Sequence, residues 1–310
     1  MMAKFRDSTV YEDLAPPRLE PSAEPARSDD TAVLDRSIGN IMSEAHSLSA
    51  EQVERVLSHQ RAHGVRFGEA AVALGLVTQD DVLFALSQQF HYPYAPSERR
   101  ELNPGLVALN QPFSAQAESF RAIRSQLMMR SFADGAARQA LAVISADPGD
   151  GKTYFSANLA VTLAQLGGRT LLVDCDLRGP SQHEMFKLRN QSGLSSILAG
   201  RAESQVIQQV QGVPSLFVLP VGVIPPNPLE LVERPAFGLL MRELTSKFDH
   251  VIVDTPAAAY GADAAVIAAK CGSALLIARK NESRVSALQD MVDSVASSRA
   301  KLVGVIVNEF

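Results

Sequence analysis

From about Pro112 onward, short apolar runs alternate with longer stretches of helical period, the pattern of a parallel sheet with crossover helices. The apolar runs predict strands at Ala140–Ile144, Thr170–Val173, Leu216–Leu219, His250–Val253, Ala274–Ala278 and Leu302–Val307. Helices are expected near 115–131, 153–166, 235–247, 261–270 and 284–298. The fold class is therefore α/β, a doubly wound and mostly parallel sheet.

The pattern before Pro112 differs. Residues 1–34 carry prolines at 16, 17, 21 and 25, many charges and no apolar period, so they read as a disordered arm that buries too little to offset its ordering entropy. From Ser37 to Gln89 the chain repeats itself. Gly39 aligns with Gly68 at an offset of 68 − 39 = 29 residues, which sets Met42 on Ala71, Leu48 on Val77, Val53 on Val82 and Leu57 on Leu86. Ser49 and Thr78 align as helix-capping hydroxyls followed by acidic residues. Each unit predicts a short helix, a turn and a longer amphipathic helix (Gln52–Gln60, Asp81–Phe90), two units packing as one small all-α module over 35–95. A proline- and charge-rich stretch makes 96–111 a linker, and 112–310 the α/β domain.

Composition narrows the functional classes. Of 310 residues, 46% are hydrophobic and 20% charged, an ordinary globular mix, and the net charge of -5 provides no basic field for nucleic acid. No apolar stretch serves as a signal peptide or approaches a membrane span, so the chain is expected to be cytoplasmic. Cys175 and Cys271 sit in apolar runs, as small buried hydrophobes of a reducing compartment.

The sharpest chemistry lies at Ala146-Asp147-Pro148-Gly149-Asp150-Gly151-Lys152-Thr153, between an apolar strand and the helix that begins at Thr153-Tyr154. A strand, a glycine-rich turn and a helix start make a phosphate-binding loop. Gly149 and Gly151 let backbone N–H groups converge on phosphate oxygens, Lys152 neutralises the β/γ phosphates, and the Thr153 hydroxyl ligates Mg²⁺. Ala146 stands where such loops usually have their first glycine. Two further strands deliver carboxylates, Asp174 and Asp176 after Leu171-Leu172-Val173, and Asp254 after Val251-Ile252-Val253. Carboxylates at the C-terminal ends of parallel strands suit a hydrated Mg²⁺ on a triphosphate, which points to ATP with Mg²⁺. Arg279, Lys280 and Asn308 follow late strands, where the base could sit or where they could be solvated loop residues.

Residues 112–310 resemble the bacterial tyrosine kinases of the polysaccharide-export type, which are P-loop NTPases. The matching segments are the loop as Walker A, LLVDCDLR as Walker A′ and VIVDTP as Walker B. Gly193-Leu194 with Leu198-Ala199-Gly200, and the run Gly222-Val223-Ile224-Pro225-Pro226-Asn227-Pro228-Leu229-Glu230-Leu231, match as well. The resemblance implies a protein-tyrosine autokinase regulating exopolysaccharide polymerisation, chain length and export. Asp174 would help activate the tyrosine hydroxyl, Asp176 and Asp254 would hold Mg²⁺ and its waters, and Asp147 to Tyr154 would wrap the nucleotide. It also implies a membrane co-polymerase whose cytoplasmic tail activates the kinase and recruits it to the inner face of the plasma membrane. Glu118, Arg121 and Arg124 match the family's Glu-x-x-Arg-x-x-Arg oligomerisation motif, although an intrahelical Glu–Arg pair accounts for the same spacing.

Family members usually end in a tyrosine-rich tail; this sequence ends at Asn308-Glu309-Phe310, and its tyrosines are 11, 92, 94, 154 and 260. Two alternatives therefore stay open, a ParA/MinD-like ATPase switch and a nucleotide-dependent assembly factor with little kinase turnover. Asp147 occupies the position of the switch ATPases' additional lysine. The helical module resembles the N-terminal domain of type II secretion ATPases through Arg66-Phe67-Gly68-Glu69, Gly75-Leu76-Val77, Leu86 and Gln89. Some members of that family bind cyclic di-GMP through two copies. Here Ser37 and His46 replace the Arg66 and Gly75 equivalents in the first copy, so a protein-docking role is expected before cyclic di-GMP.

Overall fold

A computed structural model describes residues 42, 48–89, 103–132, 138–201 and 205–309. The expected arm at 1–34, Tyr11, Tyr92 and Tyr94 lie outside them. In the helical module, α1 (Ala50–His63), α2 (Phe67–Ala73) and α3 (Gln79–Gln89) follow the repeat. Ser49 caps α1, its Oγ accepting from the Gln52 N–H while Gln52 Oε1 accepts from the Ser49 N–H. Thr78 and Asp81 exchange the corresponding bonds at α3. The buried core holds Met42, Val56, Ala70, Ala71, Val77 and Ala85. Met42/Ala71 and Val56/Ala85 both keep the offset (71 − 42 = 29; 85 − 56 = 29), whereas the expected Val53/Val82 and Leu57/Leu86 pairs are half-buried. A Cβ on Gly68 would lie 2.6 Å from Val82, so this motif glycine is needed for α2 to pack on α3.

The α/β region begins with α4 (Val107–Asn110) and α5 (Ala115–Arg130). Then follow β1 (Ala140–Ser145), α6 (Lys152–Ala164), β2 (Thr170–Asp174), α7 (Gln182–Met185), α8 (Leu194–Leu198), β3 (Gln208–Gln209) and β4 (Leu216–Leu219). The last elements are α9 (Pro228–Glu233), α10 (Pro235–Lys247), β5 (His250–Asp254), α11 (Asp263–Cys271), β6 (Gly272–Arg279), α12 (Val285–Ala296) and β7 (Lys301–Asn308). The seven strands order as β3-β4-β2-β5-β1-β6-β7, all parallel except the β3–β4 pair. Chain order reverses around β1, so the loop after it opens into a topological switch point.

Alternate strand residues feed two cores. Ala140, Ala142 and Ile144 face the layer of α10, α11 and α12, while Leu141 and Val143 face α4, α5 and α6. Helix α6 is buried almost all round, because α4 and α5 cover the side turned away from the sheet. This corrects the linker boundary at 96–111. Val107–Asn110 form a buried helical turn whose Ala108 N–H donates to Asn158 Oδ1 on α6 at 2.9 Å. Arg124 Nη1 donates to Thr162 O at 2.8 Å, tying α5 to the same helix. Among the described residues, no helix is long and apolar enough to cross a membrane. Cys175 and Cys271 are buried free thiols, and burial pushes both well above their ordinary values.

The two remaining motif segments dock on each other. Leu194 N–H donates to Pro220 O at 2.8 Å and Ser195 N–H to Val221 O at 2.9 Å, leading chain 222–231 past α8. A Cβ on Gly193 would sit 2.1 Å from Pro220 O and 2.8 Å from Gly222 N. Backbone on both sides cannot yield as a flexible side chain could. Gly193→Ala is therefore expected to lower stability by at least about 2 kcal/mol, read as a lower urea midpoint at unchanged slope.

Candidate nucleotide site

The three chemistry-bearing segments meet at the C-terminal edge of β1, β2 and β5. Parallel register sets Asp174 beside Asp254 and Val143 beside Asp254, so geometry as well as sequence order gathers the carboxylates at the loop. Gly149 (φ +85°) and Gly151 (φ +93°) turn the chain into α6. Gly151 caps α6 without a side-chain bond, which leaves the first N–H groups of a 13-residue helix for an anion.

Lys152 is buried, and its Nζ donates to Ser145 Oγ at 2.8 Å. Burial lowers its ammonium below the ordinary lysine value, against the pull of Asp254, Asp176, Asp150 and Asp147. The Ser145 hydroxyl donates to Asp147 O at 2.8 Å, and the Asp147 N–H to Asp150 Oδ2 at 3.1 Å, so the loop holds its shape from within.

Asp174 is fully buried. Its Oδ1 accepts from the Asp176 N–H (3.1 Å) and its Oδ2 from the N–H groups of Ser181 (3.2 Å) and Gln182 (3.0 Å). Burial, then the Asp254 charge, push its carboxyl well above the usual range. Asp254 is also buried and is pushed up to about 6 by burial, with bonds from Gln182 and Thr153 opposing the rise. Asp176 is half-buried, its Oδ1 accepting from the N–H groups of Arg178 (3.1 Å) and Gly179 (2.9 Å).

A cleft of about 790 Å³ opens here, lined among others by Gly149, Lys152, Thr153, Asp176, Arg178 and Tyr260. Pro148, Gly151 and Tyr154 line it too, the Tyr154 ring standing 6.0 Å from that of Phe120. Asp174, Arg279 and Asn308 do not line it. The last two brace the loop instead. Asn308 Nδ2 donates to Asp150 O at 3.3 Å, and the Arg279 N–H donates to Ser283 Oγ, whose hydroxyl donates to Asp150 Oδ1. Asp147 lines a smaller neighbouring cleft of about 340 Å³ with Arg284, Asp290 and Met291.

Glu118 and Arg121 form the intrahelical pair at 2.7 Å, and Arg121 Nη2 also donates to Pro112 O. Sequence reasoning missed Ser145, Ser283 and Gln182, and passed over Arg178 as a mere motif member. Arg178 is clamped by the buried Asp263 through Nη2–Oδ2 (3.0 Å) and Nε–Oδ1 (3.3 Å). The donor set of one threonine hydroxyl and two aspartates is hard and sparse. Among the described residues, no group of three or more His, Cys, Asp or Glu could cage a metal alone. That set fits Mg²⁺, which takes most of its ligands from phosphates and water.

The ParA family, described as NUBPL iron-transfer P-loop NTPase, matches residues 136–308. Tyrosine-protein kinase YwqD of Bacillus subtilis is 33% identical over 203 residues, 66% of this chain and 85% of that protein. Tyrosine-protein kinase Wzc of Salmonella typhimurium is 32% identical over 203 residues, 66% of this chain, which thus spans 28% of Wzc's length. Among solved structures, the kinase domain of the Escherichia coli tyrosine kinase ETK superimposes with a TM-score of 0.64 at 31% identity, over 69% of this chain and 84% of that domain.

Proposed function

The chain belongs to the ParA family of P-loop NTPases and to the bacterial tyrosine-protein kinases, and on that premise we propose that it is a Mg²⁺-ATP-dependent protein-tyrosine kinase regulating exopolysaccharide polymerisation, chain length and export. The observation that carries this reading is the cleft wall itself. Strand ends at one switch point set Lys152, Thr153 and Asp176 around a glycine turn that enters α6 with no side-chain cap, with Asp254 directly behind.

In the transfer step the tyrosine oxygen bonds to the γ-phosphorus, the bond to the β–γ bridging oxygen breaks, and ADP leaves. Thr153, Asp176 and Asp254 would hold Mg²⁺, which supplies charge neutralisation across the phosphates. Lys152 and the α6 N–H groups stabilise the charge that shifts toward the leaving oxygen. Asp174 takes the hydroxyl proton, as the family resemblance implies, and Asp176, which lines the cleft, stays with Mg²⁺. Asp174 stands behind Asp176, with its oxygens engaged by the backbone of 176–182, and also holds that segment in position. The adenine site toward Arg279 and Asn308 is part of the same proposal.

The proposal extends to the rest of the chain. Residues 35–95 form a docking module for export machinery. Gly68 is accounted for by helix packing and Glu69 by its 3.0 Å bond from the Arg66 N–H, which favours protein docking over cyclic di-GMP. The kinase domain works in the cytoplasm as a homo-oligomer through Glu118, Arg121 and Arg124, activated and recruited by a membrane co-polymerase tail.

The test is incubation with Mg²⁺-ATP, with and without that tail, mapping phosphotyrosine by mass spectrometry and counting released phosphate in parallel. Phosphotyrosine that depends on the tail and vanishes in Lys152→Met is the expected result. Tyr260, half exposed on the cleft rim, competes there with Tyr154 as acceptor. Phosphate release without phosphotyrosine would overturn the autokinase reading in favour of the ATPase switch or assembly factor.

A further inference from the structure

Gln182 opens α7, in a segment with no apolar period, yet it is fully buried and touches all three parts of the site. Its side-chain Nε2 donates to Asp254 Oδ2 at 2.8 Å and to Thr153 O at 3.1 Å. Its backbone N–H donates to Asp174 Oδ2 at 3.0 Å. Two acceptors facing one end of the amide fix its orientation, since a flip would set oxygen against oxygen at both. The other end, Oε1, is buried with no hydrogen-bond partner among the described residues. A buried acceptor without a donor is rare and calls for a reason. Here the amide serves the Asp254 side at the expense of its own oxygen, which leaves an acceptor for a group that enters with the ligand.

We propose that Gln182 is a positioning residue for the Mg²⁺-nucleotide complex, holding Asp254 and the first turn of α6 in the geometry that receives the hydrated ion. Asp254 Oδ2 takes the amide at 2.8 Å, the Thr153 side chain also bonds this carboxylate, and Ser156 Oγ reaches Oδ1 only at 3.4 Å, so the amide is a principal constraint on how the carboxylate faces the site. Residues that orient ligating carboxylates typically matter 10–100-fold for metal affinity or activity. The inference rests on the nucleotide-site reading but not on the identity of the phosphoryl acceptor.

The experiment titrates the full chain with a fluorescent ADP analogue, first in EDTA and then at rising Mg²⁺. Gln182→Met keeps the volume and removes both side-chain bonds, while the backbone bond to Asp174 survives. Its affinity in EDTA is expected to stay within about twofold of the parent, because the loop N–H groups and Lys152 are untouched, while the Mg²⁺ concentration for half-maximal tightening rises about tenfold. In an Asp254→Asn background the same substitution is expected to change the Mg²⁺ dependence less than about twofold, because Gln182 acts through that carboxylate. Gln182→Asn, one methylene too short to reach Asp254, must move the Mg²⁺ dependence in the same direction and covers the case in which Met disturbs folding. An unchanged Mg²⁺ dependence, or an equal penalty in both backgrounds, overturns the proposal. Normal Mg²⁺ behaviour with no phosphotyrosine would instead count against the kinase reading.

Discussion

Lys152→Met is expected to lower phosphoryl transfer by about a thousandfold or more while leaving the fold intact. Two parts of that expectation come from different features of the site. The loss follows from position. Lys152 lies in the cleft wall at the first residue of α6, within the field of four carboxylates, and is the cation the loop offers to a phosphate. Removing one preorganised donor from such a site costs about 10²–10³ in rate, and a buried cation facing triphosphate is worth at least as much. Arginine is expected to rescue little, because a planar fork cannot occupy the narrow place beside Ser145 that an ammonium fills.

The intact fold follows from electrostatics. Burial lowers the Lys152 value, so the folded state binds this proton less tightly than the unfolded chain does. The sign is then fixed, since a base with a depressed folded value weakens the fold below that value and ceases to do so as pH rises above the unfolded one. At neutral pH the ammonium is thus a net cost, partly offset by the aspartates it faces. Methionine removes both terms, so the urea midpoint should move by less than the equivalent of about 1 kcal/mol. A thousandfold loss of phosphotyrosine at an unchanged midpoint supports a chemical role for Lys152. A loss matched by a collapse of the midpoint would show that the residue is structural and sink the assignment.

Legibility from the sequence followed periodicity. Strands β1, β2 and β5 are continuous apolar runs buried on both faces, so the apolar pattern alone locates their ends and the loop and carboxylates that follow. The site's inner bracing leaves no such trace. Gln182 sits in the irregular chain after β2, where no periodic pattern says which polar residue turns inward. Asp174 and Asp176 are two residues apart at a strand end, and sequence alone does not tell that the chain turns between them and leaves only Asp176 on the cleft. Asn103-Pro104-Gly105 reads as linker, but its successor α4 is buried because α6 needs an apolar cover on its second side. The spacing of Glu118, Arg121 and Arg124 allowed both an internal pair and an interface. The chain on its own satisfies the first, with Arg121 on Glu118 and Arg124 on Thr162 O.

Asp254→Asn should do what few active-site substitutions do, stabilising the ligand-free protein while abolishing Mg²⁺-dependent transfer. A carboxyl moved from 3.8 to about 6 keeps its proton in the folded state at pH values where the unfolded chain has lost it. Below about pH 4 both states are protonated and the group carries no penalty. Between 4 and 6 a penalty grows as the buried carboxyl is forced to ionise, and above 6 the buried anion weakens the fold by on the order of a few kcal/mol. Asparagine is neutral at every pH. Its Oδ1 can accept from Gln182 Nε2 as Asp254 Oδ2 does at 2.8 Å, and its amide can donate to Ser156 Oγ. It also relieves Asp174, whose carboxyl the Asp254 charge helps to raise. The urea midpoint without nucleotide should therefore rise by the equivalent of about 1–3 kcal/mol at pH 7.5, and the gain should disappear near pH 4. With Mg²⁺ and nucleotide the order should invert, because the parent gains ligand stabilisation through a carboxylate that the variant lacks. Equal gains at pH 4 and 7.5 would mean that the carboxyl is not raised. A less stable variant at pH 7.5 would mean that the anion is compensated within the ligand-free site. The expected crossing of the two midpoints on adding Mg²⁺-nucleotide would identify Asp254 as a residue kept for its ligand at the expense of the fold.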